Sequence, residues 1–152
     1  YHNIFGAEGT WEGGREKAPA AICRKVAAAT NNGRIEIWGD GLQTRSFLHI
    51  EECIQGTLNV MRSPHQGPFN IGSDEMVSIN ELVSIVADVA GKTIRVEHVP
   101  GPQGVRGRRS DNRLIHKLVG WHPVGRLTEG IEKTYPWIEQ QLHARDNQGN
   151  YR

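Results

Sequence analysis

The chain has 152 residues and a mass of 17.0 kDa, 37% of them hydrophobic and 23% charged, enough for one soluble domain with a real core or for a piece of something larger. A formal net charge of +1 excludes the strong basic excess of general nucleic-acid and membrane-surface binders. No apolar run approaches the length of a membrane span, and nothing at the start has the make-up of a signal peptide.

Tyr1-His-Asn-Ile4 reads as the end of a strand with no initiating Met before it, so the chain is expected to begin inside a longer protein. Residues 5 to 16 are rich in Gly and charge around Trp11 and predict a long loop, the kind of segment that carries function in compact proteins. A helix follows: Pro19 suits its first turn, and Ile22, Val26 and Ala29 recur at helical spacing, with Arg24 pointing away from that stripe and Lys25 on its margin. Gly39, Asp40 and Gly41 tolerate positive φ and predict a hairpin in which Ile35–Trp38 turns back into Gln43–Phe47. Strand alternation then places Gln43, Arg45 and Phe47 on one face and Thr44, Ser46 and Leu48 on the other. Two readings are open for this stretch: a solvated edge hairpin, or a ligand-facing strand whose guanidinium and amide meet a phosphate or a sugar.

Residues 51 to 61 predict a short helix through Ile54, Leu58 and Met61 that stops at Ser63-Pro64, and Phe69–Gly72 predicts a short strand. Ser78 with Glu81 forms a capping box for a helix whose stripe is Ile79, Leu82, Val83, Val86 and Val89 and which ends at Gly91. Residues 93 to 99 alternate as a strand. A loop from Pro100 to Ser110 carries Arg106, Arg108 and Arg109, and a short helix runs from Asp111 to Val119 before the break at Gly120. Thr128 is expected to cap a last helix through Ile131, Tyr135, Ile138 and Leu142, with Pro136 imposing a kink or a late start, and the tail from Arg145 is expected to fray.

Gly101-Pro-Gln-Gly-Val-Arg-Gly107 has Gly-x-x-Gly-x-x-Gly spacing between a strand and a helix, but no βαβ unit surrounds it, so it is rejected as a dinucleotide fingerprint. The arginines of that loop are the better signal, because guanidinium groups suit bidentate phosphate contacts. Lys17, between the Gly-rich loop and a helix start, is either a solvated lysine or, in a closed and desolvated site, a usable proton donor or acceptor near neutrality. Cys23 and Cys53 have no Cys or His at metal spacing and read as buried, reduced residues of a cytoplasmic protein; the seven His residues form no metal or catalytic constellation.

Asn3-Ile-Phe-Gly6, Arg45-Ser-Phe-Leu-His-Ile50, Phe69-Asn-Ile-Gly72 and Arg108-Arg-Ser-Asp111 resemble, in this order, the C-terminal half of extended short-chain dehydrogenase/reductases that act on nucleotide-sugars. Gly9-Thr-Trp, Gly13-Gly-Arg-Glu-Lys-Ala-Pro-Ala20, Trp38–Phe47, Ile71–Ser78 and Pro100-Gly-Pro are similar to the members that take GDP-mannose. The resemblance implies an α/β fold: the substrate-binding part of such an enzyme over residues 1 to 144, a small mixed sheet with helices, lacking the N-terminal Rossmann domain. It implies NAD as cofactor, bound mainly by that absent half. It also implies a reaction in which hydride leaves sugar C4, the ketone acidifies C3 and C5, an acid/base pair inverts them, and hydride returns to give a GDP-L-galactose-type product.

Lys17 matches the lysine of that pair. Its partner cysteine is expected in the absent half, so it is neither Cys23 nor Cys53. Asn3, Glu16, Lys17, Ala18, Lys25, Gln43, Thr44, Arg45 and Arg108 match substrate contacts, with Lys25 and Arg108 near the diphosphate. A homodimer is implied, with no nucleic-acid or membrane partner and no metal. Another nucleotide-sugar epimerase, dehydratase or decarboxylase, or a non-catalytic sugar-nucleotide binding module, are the alternatives. Ala7, Pro136 and an insertion around Asn31–Gly33 depart from the family pattern. The segments around 48 to 61 and 69 to 90 are expected to pack on the absent domain, leaving Val83 and Val86 facing water here and the isolated chain inactive and poorly folded.

Overall fold

The computed structural model describes residues 1–102 and 104–149; Gln103 of the Gly101–Gly107 run and residues 150–152 of the expected tail lie outside the described residues. The segment after Phe5 is a loop up to Lys17, as its glycines predict. Helix α1 (Ala18–Ala28) then starts with Pro19 in its first turn, where a missing N–H costs nothing. Strand β1 (Ile4–Phe5), before the loop, pairs in parallel with β4 (Leu48–His49).

The predicted hairpin does not form. Gly39 (φ 72°) and Gly41 (φ 67°) do make a sharp turn, and Asp40 Oδ1 accepts from the Leu42 N–H at 2.9 Å. The arms of that turn join different sheets. β2 (Arg34–Trp38) pairs in parallel with β6 (Arg95–Val99), whereas β3 (Thr44–Ser46) lies between antiparallel β5 (Met76–Ser78) and parallel β7 (Gly107–Arg108). Turn chemistry is local and strand pairing is not, which is why the same residues build a corner between sheets.

Two further expectations are corrected. Phe69–Gly72 is not a strand; it makes one backbone bond, from the His2 N–H to the Ile71 carbonyl at 2.9 Å, and the strand comes later at β5. The arginine loop also contains β7, which sets Arg108 opposite Arg45 in the ladder.

The remaining helices are α2 (Ile50–Arg62), α3 (Ile79–Val89), α4 (Arg113–Val119) and α5 (Leu127–Gly149). The Ser78–Glu81 capping box is present in both directions, at 3.1 Å and 2.7 Å. α5 begins before Thr128: its Leu127 N–H is accepted by Glu75 Oε2 at 2.7 Å, so a distant carboxylate does the capping. Pro136 sits inside α5 on its exposed side, where the ring meets solvent, and the helix continues through the start of the expected tail to Gly149.

α1, α3 and α5 pack on one another over the larger core, which includes Val26, Leu82, Ile131 and Ile138 with Ile35 and Ile37 of β2. Val83 and Val86 are 2% and 0% exposed in it, so the expectation that they face water is overturned: α1 and α5 of this chain cover them. Each such side chain contributes about 1.5 to 3 kcal/mol by burial. A smaller cluster joins Leu48, Cys53, Ile71, Ile115 and Trp121 between α2 and α4. Gly56 is required there, because a Cβ would stand 2.9 Å from the Trp121 ring. The outer face of α2 does show Ile54 and Met61 to water, at 48% and 75% exposure.

Candidate active site

The loop after β1, the first turn of α1 and strand β3 meet at a cleft of about 270 Å³. Asn3, Glu16, Lys17, Ala18, Gln43 and Arg45 line it, and Phe47 and Ile79 supply its apolar surface. Gln43, Arg45 and Phe47 share this cleft as strand alternation predicts, while Ser46 faces away and is fully buried. The stretch is therefore a cleft-lining strand and not an edge hairpin.

Each polar group has a definable state. Asn3 takes a positive φ of 48° and donates from Nδ2 to the Ser46 carbonyl at 3.0 Å, which ties β1 to β3. Arg45 is half-buried and donates from Nη1 to the Thr44 carbonyl at 2.7 Å. Gln43 is 8% exposed; its Nε2 reaches the Trp38 carbonyl at 3.5 Å, and its Oε1 is buried with no partner. A buried acceptor left open is rare in folded proteins, and here it belongs to a cleft-lining residue.

Glu16 accepts from Arg24 Nη2 at 3.0 Å and from the Gly14 N–H at 2.7 Å. Burial opposes its ionisation, but backbone N–H groups and the Arg24 guanidinium outweigh it and hold the carboxyl below the usual carboxylate range. Lys17 is exposed at the rim, and its ammonium has no hydrogen bond or ion pair among the described residues.

The structure does not bring all the expected residues together. Arg108 is exposed on β7, opposite Arg45 in the ladder but not among the residues that line the cleft, and close enough to His2 that its charge, after burial, pushes that imidazole down. Thr44 points off the cleft-facing side of β3. Lys25 donates from Nζ to the Glu36 carbonyl at 2.6 Å and lines a separate pocket with Arg34 and Ala28. Nothing in the sequence marks Arg24 as part of this arrangement, because its contact with Glu16 crosses a loop and leaves no periodic signal. Cys23 is fully buried, its thiol pushed up to about 12 by burial, and Cys53 is buried and raised for the same reason, so neither is poised as a thiolate. Among the described residues no group of three His, Cys, Asp or Glu side chains is placed to hold a metal, and no helix is long and apolar enough to cross a membrane.

Residues 1–72 match the profile described as the NAD dependent epimerase/dehydratase family. GDP-mannose 3,5-epimerase of Arabidopsis thaliana is 53% identical over 150 residues, which is 99% of this chain. The chain belongs to the NAD-dependent epimerase/dehydratase family. It spans 39% of the length of that curated family member.

Solved structures of the family agree in fold. UDP-glucose 4-epimerase of Thermotoga maritima superposes with a TM-score of 0.82 at 22% identity, over 93% of this chain and 45% of that one. UDP-glucuronic acid 4-epimerase of Bacillus cereus, solved with UDP-glucuronic acid and NAD, gives 0.79 at 24% identity, over 93% of this chain and 44% of that one. The α/β arrangement described above is thus a fold shared with part of each of these two structures.

Proposed function

We propose that this chain supplies the sugar-nucleotide side of an epimerase that takes GDP-mannose and inverts C3 and C5 through a transient C4 ketone, giving a GDP-L-galactose-type product. The observation that carries this reading is the cleft, where an unpaired lysine stands beside an open amide oxygen and a guanidinium. The 53% identity to the Arabidopsis protein supports the choice of sugar nucleotide.

In this reading the Lys17 amine takes or returns a proton at C3 or C5, the carbons acidified by the ketone between them. Arg45 and Arg108, opposite each other on β3 and β7, hold the diphosphate through charge-assisted bonds. Gln43 Oε1 accepts from a sugar hydroxyl, and Asn3, Glu16 and Ala18 shape the wall around it. Lys25 joins the diphosphate only by leaving the Glu36 carbonyl.

NAD supplies hydride chemistry at C4 in such an enzyme. The Gly101–Gly107 run is not taken as its cradle, because it leads into the exposed edge strand β7 and the next helix starts only at Arg113. The cofactor is accordingly assigned to a part of the enzyme outside these residues, and the acid/base partner of Lys17 with it. A cytoplasmic location, where the two buried thiols stay reduced, and a homodimer complete the proposal.

Titration calorimetry with GDP-mannose and UDP-glucose tests it, on the chain alone and on the chain joined behind the N-terminal part of the Arabidopsis relative. GDP-mannose is expected to bind in preference, and only the joined protein should place solvent deuterium at C3 or C5. Equal binding of both nucleotides would refute the substrate. Binding by the joined protein without exchange would make the chain a binding module.

A further inference from the structure

Glu16 and Lys17 are consecutive residues that line the same cleft, and a carboxylate beside an ammonium there would ordinarily pair with it. In this structure both Glu16 oxygens are already taken, Oε1 by Arg24 Nη2 at 3.0 Å and Oε2 by the Gly14 N–H at 2.7 Å. The Glu16 side chain is 8% exposed and that of Arg24 30%, so the pair is partly buried. Arg24 also donates from Nε to the Trp11 carbonyl at 3.2 Å. One guanidinium thus grips the loop at Trp11 and at Glu16, which the planar fork of arginine can do and a single ammonium cannot. The Trp11 ring is held in turn by α5, with the Arg145 guanidinium 5.8 Å from its centroid.

We propose that Arg24 is a positioning residue for Lys17: it sequesters the Glu16 carboxylate and fixes the loop end, so that the Lys17 amine stands unpaired at the cleft. This rests on the reading of Lys17 as the proton-transfer group. A lysine locked in an ion pair with its neighbour is held in one protonation state and serves poorly as an acid/base group. Arg24 does not touch the cleft itself, so it acts through Glu16 and the loop.

The test needs no substrate. The 152-residue chain is treated with an amine-acylating ester, and the rate at Lys17 is read by peptide mass spectrometry relative to exposed Lys117 on α4. Arg24→Met frees the carboxylate to capture Lys17, and acylation there is expected to slow severalfold. The double variant Arg24→Met/Glu16→Gln removes the captor and should restore the original rate. A mere loosening of the loop predicts the opposite sign, faster acylation. Lys17 reacting unchanged or faster in Arg24→Met, or slowing that Glu16→Gln does not reverse, would overturn the proposal.

If Arg24→Met does not fold, Glu16→Gln alone decides. Lys17 keeps its rate if Arg24 already holds the carboxylate, whereas a rise would mean that Glu16 was engaging Lys17 all along and would sink the idea. Failure of GDP-mannose to bind removes the functional reading and leaves the clamp standing, so the two failures are separable.

Discussion

Lys17 and Arg108 carry the sharpest expectations at the level of single residues. In the joined protein, Lys17→Met should abolish deuterium incorporation at one of C3 and C5 while C4 oxidation remains visible as NADH. Loss of a general acid/base group lowers rates by about two to four orders of magnitude, and unchanged exchange at both carbons would remove Lys17 from the mechanism. Arg108→Ala should weaken GDP-mannose binding by about tenfold or more, since charge-assisted bonds contribute roughly 1.5 to 3 kcal/mol. Arg109 has no partner strand residue in the ladder, and Arg109→Ala should lose less; equal losses in titration calorimetry would point to a diffuse basic patch.

How far these residues were legible follows from the reach of each interaction. Gln43, Arg45 and Phe47 were placed on one face by a period-two pattern, and the structure gathers them in one cleft. Helical spacing points Arg24 away from the apolar stripe, as the structure has it, but what it points toward is a loop folded back over the helix. No local rule reports that.

Secondary-structure elements divide along the same line. The capping box at Ser78 was readable because its two bonds span three residues, and the ends of α2 and α3 followed from Ser63-Pro64 and Gly91. The hairpin that the Gly39–Gly41 turn predicts does not form because the partner of β2 lies some sixty residues on, at β6, and nothing in Trp38–Phe47 says so. A similar long reach stabilises α1. Lys92 Nζ donates to the carbonyls of Val26, Ala27 and Ala29 at 3.0, 3.1 and 3.0 Å, placing a cation at the negative end of the helix. Lys92→Met should therefore cost roughly 1.5 to 3 kcal/mol, visible as a lower midpoint in thermal melting, with GDP-mannose binding by the joined protein unchanged.

The β1–β4 pair adds a pH dependence. His49 stands edge-on to Phe5 with ring centroids 5.6 Å apart, and its Nε2 is buried without a partner. Burial pushes this imidazole down, outweighing the attraction of Glu51. Its folded value lies below the ordinary roughly 6.5, so the unfolded chain binds the proton first as pH falls. The stability contributed by neutral His49 is complete above about 6.5 and drains away as pH drops through the folded value; His2, lowered by burial and Arg108, acts in the same sense. Melting midpoints should fall between pH 7 and 5, with a shallower slope in His49→Phe. A slope untouched by that substitution would locate the titration elsewhere.

At the scale of the whole molecule, the helical layer of α1, α3 and α5 closes a core within this chain, so it is expected to melt cooperatively instead of remaining partly ordered. Leu82 is fully buried there, and Leu82→Ala should cost about 2 to 5 kcal/mol, read from denaturant unfolding. Ile54 and Met61 on α2 remain outside any cover, and they are where a hydrophobic dye should bind the folded chain. Charging α2 with Ile54→Lys should reduce dye fluorescence without moving the melting midpoint. The same chain is expected neither to bind NAD nor to turn over GDP-mannose by itself.

Phe47 belongs to the larger core and Leu48, the next residue, to the smaller one, so the backbone passes between the two within a single peptide unit just after the cleft-facing face of β3. That crossing fixes chain length. Adding or removing one residue between Gln43 and Leu48 would turn Arg45 inward and Ser46 outward, and would exchange the clusters served by Phe47 and Leu48. The exposed stretch of residues 65–67, where Gly67 takes a φ of 126° and a Cβ would meet nothing within 4 Å, carries no such burden. A scan of single-residue insertions should find the chain folding with extra length there and failing with any between Gln43 and Leu48, which makes that stretch a fixed ruler between the cleft and both cores.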